Sequence, residues 1–137
     1  MKNLSLLFLA FSALMLPSCS TKSAEEVMDG LEELFDGVTP IVRDANDVAS
    51  AKVAVEKLDE HLEKIDAYMA EHEDVKITEE ESKANSERLG KVGEQMGMDC
   101  MVHINTLRAK DPAAAKILQD GFMKFLSGIQ ALGTKYK

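Results

Sequence analysis

The densest run of reactive side chains in this 137-residue sequence is Met96-Gly97-Met98-Asp99-Cys100-Met101-Val102-His103. On a helix, Met96, Cys100 and His103 fall at i, i+4 and i+7, within about 60° of one another. A thioether, a thiolate and an imidazole on one stripe would suit a soft cation such as Cu(I). The competing reading is packing, since methionine fills irregular gaps and a free cysteine behaves as a small hydrophobe. No donor from another segment obviously completes the set, so packing is favoured and Cu(I) is kept as the alternative. Met98 and Met101 point ~200° and ~140° away from Met96 on an ideal wheel. At least one should therefore leave the core, either as a scattered surface apolar residue or as an adaptable contact to a partner, a second copy of the chain being the simplest. Di-iron bundles need paired Glu-x-x-His motifs, but Leu58, Met69 and Cys100 stand three residues before His61, His72 and His103. The acidic runs Asp29-Glu32-Glu33-Asp36 and Glu79-Glu80-Glu81 lack the spacing and glycine of a calcium loop. They read as solvated faces and as partners of helix N-termini. No nucleophile elbow, phosphate-binding glycine loop or zinc-protease motif occurs, so catalysis is not expected.

The beginning of the chain carries a different kind of chemistry. Met1-Lys2-Asn3 supplies one positive charge, and Leu4 through Leu16 are almost wholly apolar. This run is shorter than the ~20 residues needed to span a bilayer and reads as the h-region of an export signal. It ends in Leu16-Pro17-Ser18-Cys19, which resembles a bacterial lipobox, with Pro17 a departure at a position that usually holds Ala, Ser, Thr or Val. The resemblance implies cleavage before Cys19, diacylation of its thiol and acylation of the new N-terminus. Several acyl chains, at ~0.8 kcal/mol per buried CH₂, make such an anchor stable where one would not. Ser20, where an Asp often signals inner-membrane retention in such lipoproteins, favours the outer membrane, with the domain facing the periplasm. Residues 1–18 are then a cleaved signal, 19–22 a short tether and 23–137 the folded domain, held close to the bilayer. Cys100 would be left unpaired in an oxidising compartment, and burial is the expected way to protect it.

The elements that must position these residues are helices. Ser23-Ala24-Glu25-Glu26 is a capping box opening a segment with apolar residues at Met28, Leu31, Leu34, Phe35, Val38 and Val42. Gly37 and Pro40 predict a kink, or a break with Thr39 capping a short continuation. Asn46-Asp47 supplies the next N-cap, followed by the seam Val48, Ala51, Val55, Leu58, Leu62, Ile65 and Met69 on a helix ending near His72. Thr78-Glu79-Glu80-Glu81 is a second capping box, and Leu89, Val92, Met96, Cys100, His103 and Leu107 form one stripe. Gly90, Gly93 and Gly97 lie beside it and suggest close approach of another backbone. Asp111-Pro112 is an N-cap with Pro at N1, opening the seam Ala115, Leu118, Phe122, Phe125, Ile129, Leu132 and Tyr136. No segment alternates with period two. The fold class is therefore all-α, an antiparallel up-down-up-down four-helix bundle. The balance of 16 Lys and Arg against 24 Asp and Glu leaves an acidic surface that repels nucleic acid.

Three stretches resemble the soluble four-helix b-type cytochromes of the periplasm: Met28 early in helix one, Ala45-Asn46-Asp47-Val48-Ala49-Ser50-Ala51-Lys52 at the turn into helix two, and Thr134-Lys135-Tyr136-Lys137 at the end. The resemblance implies the bundle. It also implies haem held between a Met of helix one and a His of the last helix, but Gly133 stands where that His would be. The sequence thus points to a membrane-tethered, non-catalytic lipoprotein that binds or supports something in the envelope, anchored to the bilayer through Cys19. No cofactor is expected, and a haem or Cu(I) carrier is the alternative.

Overall fold

A computed structural model of the chain describes residues 22–136. These form five helical segments: α1 (Ala24–Asp36), α2 (Val38–Arg43), α3 (Val48–Glu71), α4 (Glu79–Lys110) and α5 (Pro112–Lys135). No strand occurs among the described residues, so the all-helical class holds. Only Gly37 separates α1 from α2, so the two make one bent rod beside three long ones.

The helix starts follow from local hydrogen bonding. Ser23 Oγ accepts from Glu26 N at 3.2 Å while Glu26 returns a carboxylate oxygen to Ser23 N at 2.7 Å. Thr78 and Glu81 repeat the exchange at the head of α4. Each pair satisfies amide groups that the first turn leaves without partners. At α3 the cap is Asp47, paired with Ser50. Asp111 alone joins α4 to α5: it ends the first and caps the second through Ala114 N, with Pro112 at the position where no donor is lost. The break at Gly37 lies where Gly37 and Pro40 place it. Pro40 falls in the first turn of α2, where its missing N–H costs nothing. Thr39 does not cap α2, because Gly37 already holds that position, and its hydroxyl instead meets the Cys100 thiol.

The core is one cluster drawn from every helix. Phe122, Phe125, Met28, Leu58, Ile65, Ile104, Leu118 and Ile129 are its largest fully buried members, and Phe122 and Phe125 stack with centroids 6.4 Å apart. The α5 seam is buried from Ala115 to Leu132. In α3, Ala51, Leu58, Ile65 and Met69 are buried, whereas Val48, Val55 and Leu62 are half-buried, Val55 and Leu62 lying over Gly121 and Gly128 of α5.

α3 packs more extensively on α5 than any other pair of helices. Val55 lies against Gly121, and two turns further Leu62 lies against Gly128. Lys124 Nζ reaches Asp59 at 2.7 Å, and Lys135 Nζ reaches Asp66 at 2.7 Å. Residue numbers rise together along this interface, so the pair is parallel. They also rise together between the first rod and α4: Arg88 bridges Asp29 and Glu32, Arg43 pairs with Asp99 at 3.6 Å, and His103 bonds Ala45 O. Between α1 and α3 they run oppositely, with His61 at Leu34 and Tyr68 at Val27. The tightest pair is thus α3 and α5, which α4 separates in the chain and which lie side by side in the same direction. The reason is steric, because the glycines of α5 admit α3 side by side.

The glycines also correct the sequence reading. Gly90 and Gly97 have open space where a side chain would go, so no backbone approaches them. At Gly121 an added Cβ would overlap Val55, whose β-branched side chain has one favoured rotamer in a helix. At Gly128 it would overlap the tip of Leu62, which can turn aside. Two signs of effect are expected in urea denaturation. Gly90→Ala and Gly97→Ala should each stabilise the fold by up to ~1 kcal/mol. Gly121→Ala should destabilise it by about 1–3 kcal/mol despite better helix propensity, with Gly128→Ala milder. Stabilisation by Gly121→Ala would show that α3 is not seated there.

Candidate functional site

The soft-donor stripe lies on α4 facing the first rod. Met96 and Cys100 are buried, and His103 is half-buried. Both stronger donors are already engaged. His103 Nε2 meets Ala45 O at 2.8 Å, so that nitrogen carries the proton and donates. Cys100 Sγ meets the Thr39 hydroxyl, and burial pushes its thiol up to about 11. A thiolate ligand would have to form against that desolvation. The stripe thus ties α4 to α2 and to the turn after it. No cluster of three or more His, Cys, Asp or Glu placed to hold a metal occurs among the described residues.

Met98 and Met101 separate, as the helical wheel requires. Met98 is half exposed, at 50%, while Met101 packs against the core. The exposed apolar pair on this face is Met98 with Val102 one turn on, at 66%. Met101 is therefore corrected to a packing residue. Cys19 lies outside the described residues, and no helix among them is long and apolar enough to cross a membrane.

The other histidines also hold carbonyls. His61 Nε2 donates to Leu34 O just before the bend at Gly37. His72, the C-cap of α3, donates from Nδ1 to Tyr68 O at 2.8 Å and rests against the Tyr68 ring, with centroids 4.3 Å apart. Gly133 is buried in α5 and offers no ligand to a haem.

A cavity stands at the end of the molecule where α1 begins, α3 ends and α4 starts. Ala24, Val27, Met28, Val75 and Ile77 make apolar walls, and His72 and Asn85 complete the lining. Its volume is about 20 Å³, roughly the room one water molecule needs. His72 and Asn85 are 5% and 7% exposed, and they are the two buried polar residues of the described chain. Sequence reading passed over both as binding groups. The signal was there: stepping back four residues from Leu89 along the α4 stripe reaches Asn85, and stepping on three from Met69 along the α3 seam reaches His72. A polar residue in line with a core seam marks a place where the core opens or a polar group must be met.

Two outcomes test the assignment of the α4 stripe to packing. In the folded protein at pH 8, alkylation of Cys100 should be slow and should follow unfolding across a urea series. His103→Leu should cost about 1–3 kcal/mol, because Ala45 O loses its donor. Rapid modification of Cys100 in the native state would contradict the buried, packed thiol.

No protein-family model, curated protein or solved structure matches the chain, so its function is argued from its own residues.

Proposed function

We propose that the chain is a lipid-anchored, non-catalytic binding or structural module of a bacterial envelope, tethered through Cys19 to the outer membrane and facing the periplasm. The observation that carries this reading is the apolar run Leu4 to Leu16 ending at Leu16-Pro17-Ser18-Cys19. Its position relative to the fold agrees with an anchor. α1 begins at Ala24, five residues after Cys19, and at ~3.3–3.6 Å per extended residue the base of α1 stays within about 18 Å of the lipid. Lys22, two residues before α1, packs over the Tyr68 ring of α3 at 5.2 Å.

On this reading the rods alternate direction in chain order, up-down-up-down. The opposed register of α1 and α3 and the one-residue connection at Asp111 support that alternation, and the parallel α3–α5 contact then joins the second and fourth rods. The module performs no chemistry of its own: its imidazoles and its thiol serve packing and capping, and no catalytic motif accompanies them. Its acidic surface, in a chain whose full sequence carries a net charge of −8, keeps the flanks of the domain off anionic headgroups.

Metabolic labelling with an alkynyl fatty acid should mark the wild-type protein in the membrane fraction. Cys19→Ala should abolish labelling and leave the precursor uncleaved. Equal labelling of Cys19→Ala, or an unlabelled wild type, would overturn the anchor.

A further inference from the structure

The outer face of α4 carries a second heptad, on the side away from the core. Gln95, Met98, Val102, Asn105 and Ala109 recur at steps of three, four, three and four, the spacing of a helix–helix seam, and all five are exposed. Surface apolar residues scattered singly need no partner. Met98 and Val102, however, stand on successive turns of a lane that holds no charge. The outer face of α3 differs, with Lys52, Glu56, Glu60 and Glu63 along it.

The polar groups of the lane say what covers it. Gln95 Nε2 donates to Asp99 at 3.1 Å, which leaves Oε1 to accept. Asn105 Oδ1 accepts from Arg108 at 2.9 Å, which leaves Nδ2 to donate. Glu94 and Arg108 flank the lane on one edge, both exposed. Arg108 is held by the neutral amide oxygens of Asn105 and Gln119, and Glu94 has no hydrogen bond or ion pair among the described residues. Turned end over end, the lane therefore complements itself. With two copies of α4 antiparallel and Met98 opposite Val102 of the second copy, Gln95 meets Asn105 of the second copy and Glu94 meets Arg108 of the second copy. Each contact occurs twice by symmetry. The two Asp99 side chains also approach, each already paired with Arg43 of its own chain at 3.6 Å. A parallel pairing would instead set Glu94 beside Asp99 of the second copy, and flanking charges of like sign select against that orientation.

We propose that the outer face of α4 is a homodimer interface, in which two copies of the chain pair α4 antiparallel about a two-fold axis beside Met101. The contact from Gln95 to Ala109 is one helix pair about four turns long, smaller than a standard interface, so the dimer is reversible. It sets the two N-termini at opposite ends of the α4 pair, so two copies anchored in one bilayer lie with their rods along its surface.

The test is photo-crosslinking of the purified full chain in mild detergent, with Val102 replaced by a benzophenone amino acid. Irradiation should give a product of twice the chain mass, joined to the segment around Met98. The same label at Val53, exposed on α3, should give about tenfold less. Glu94→Arg and Arg108→Glu should each cut the Val102 product about tenfold, because like charges then meet twice. Mixing these two variants should restore it, because every Arg again faces a Glu across the pair. Both positions are exposed, and unchanged circular dichroism verifies that each variant is folded. No doubled product, a Val102 product no stronger than that from Val53, or a mixture as weak as its components would overturn the proposal. So would crosslinks that join Val102 to Val102, which belong to a parallel pair. None of these results depends on acylation of Cys19, so the dimer and the anchor stand or fall separately.

Discussion

Val55 seated on Gly121, and Leu62 on Gly128 two turns later, set the spacing on which the rest of the molecule depends. A side chain at either glycine would push α3 outward, and α3 carries the residues that position the first rod. His61 reaches Leu34 O, Tyr68 reaches Val27 O, and His72 closes the end of α3 beneath Ala24 and Met28. The depth of the glycine slot thus propagates along α3 to the cavity at its far end. Lys124–Asp59 and Lys135–Asp66 lie along the same interface, but they are solvent-exposed and contribute registration more than stability.

The molecule spends its polar chemistry on joints between helices. Two histidines donate to carbonyls of other segments, at the bend before Gly37 and at the turn containing Ala45. Those carbonyls lie beside the ends of α1 and α2, and each imidazole ties its own helix to that joint. Arg88 plays the corresponding role with charge, clasping Glu32 in a two-point fork and reaching Asp29 as well. Against this background His72 and Asn85 are the exceptions, polar residues buried in line with the core seams of α3 and α4.

Much of the fold was legible because its signals are local. The capping pairs Ser23–Glu26 and Thr78–Glu81, the Asp111-Pro112 start and the error-free seams of α3 and α5 depend only on near neighbours in sequence, and each is found where the spacing puts it. What could not be read depends on which helix meets which. The glycines of α4 look more clustered than Gly121 and Gly128, yet Gly90 and Gly97 face open space while Gly121 and Gly128 meet α3; periodicity alone cannot say whether a gap is filled. The same limit applies to Met96, Cys100 and His103. Their shared stripe is visible in the sequence, but Thr39 and Ala45, which engage two of them, lie more than fifty residues away along the chain.

The parallel seating of α3 on α5 is the claim from which the positions of His72 and the cavity follow, and a pair of spin-label distances tests it most directly. Labels at Lys52, Lys116 and Gln130, all exposed, are introduced with Cys19 and Cys100 replaced. With Val55 level with Gly121, Lys52 lies nearly level with Lys116 and about 18 Å along the axis from Gln130, at ~1.5 Å per residue. The Lys52–Lys116 distance should therefore be clearly the shorter of the two; the reverse order would contradict the parallel interlock.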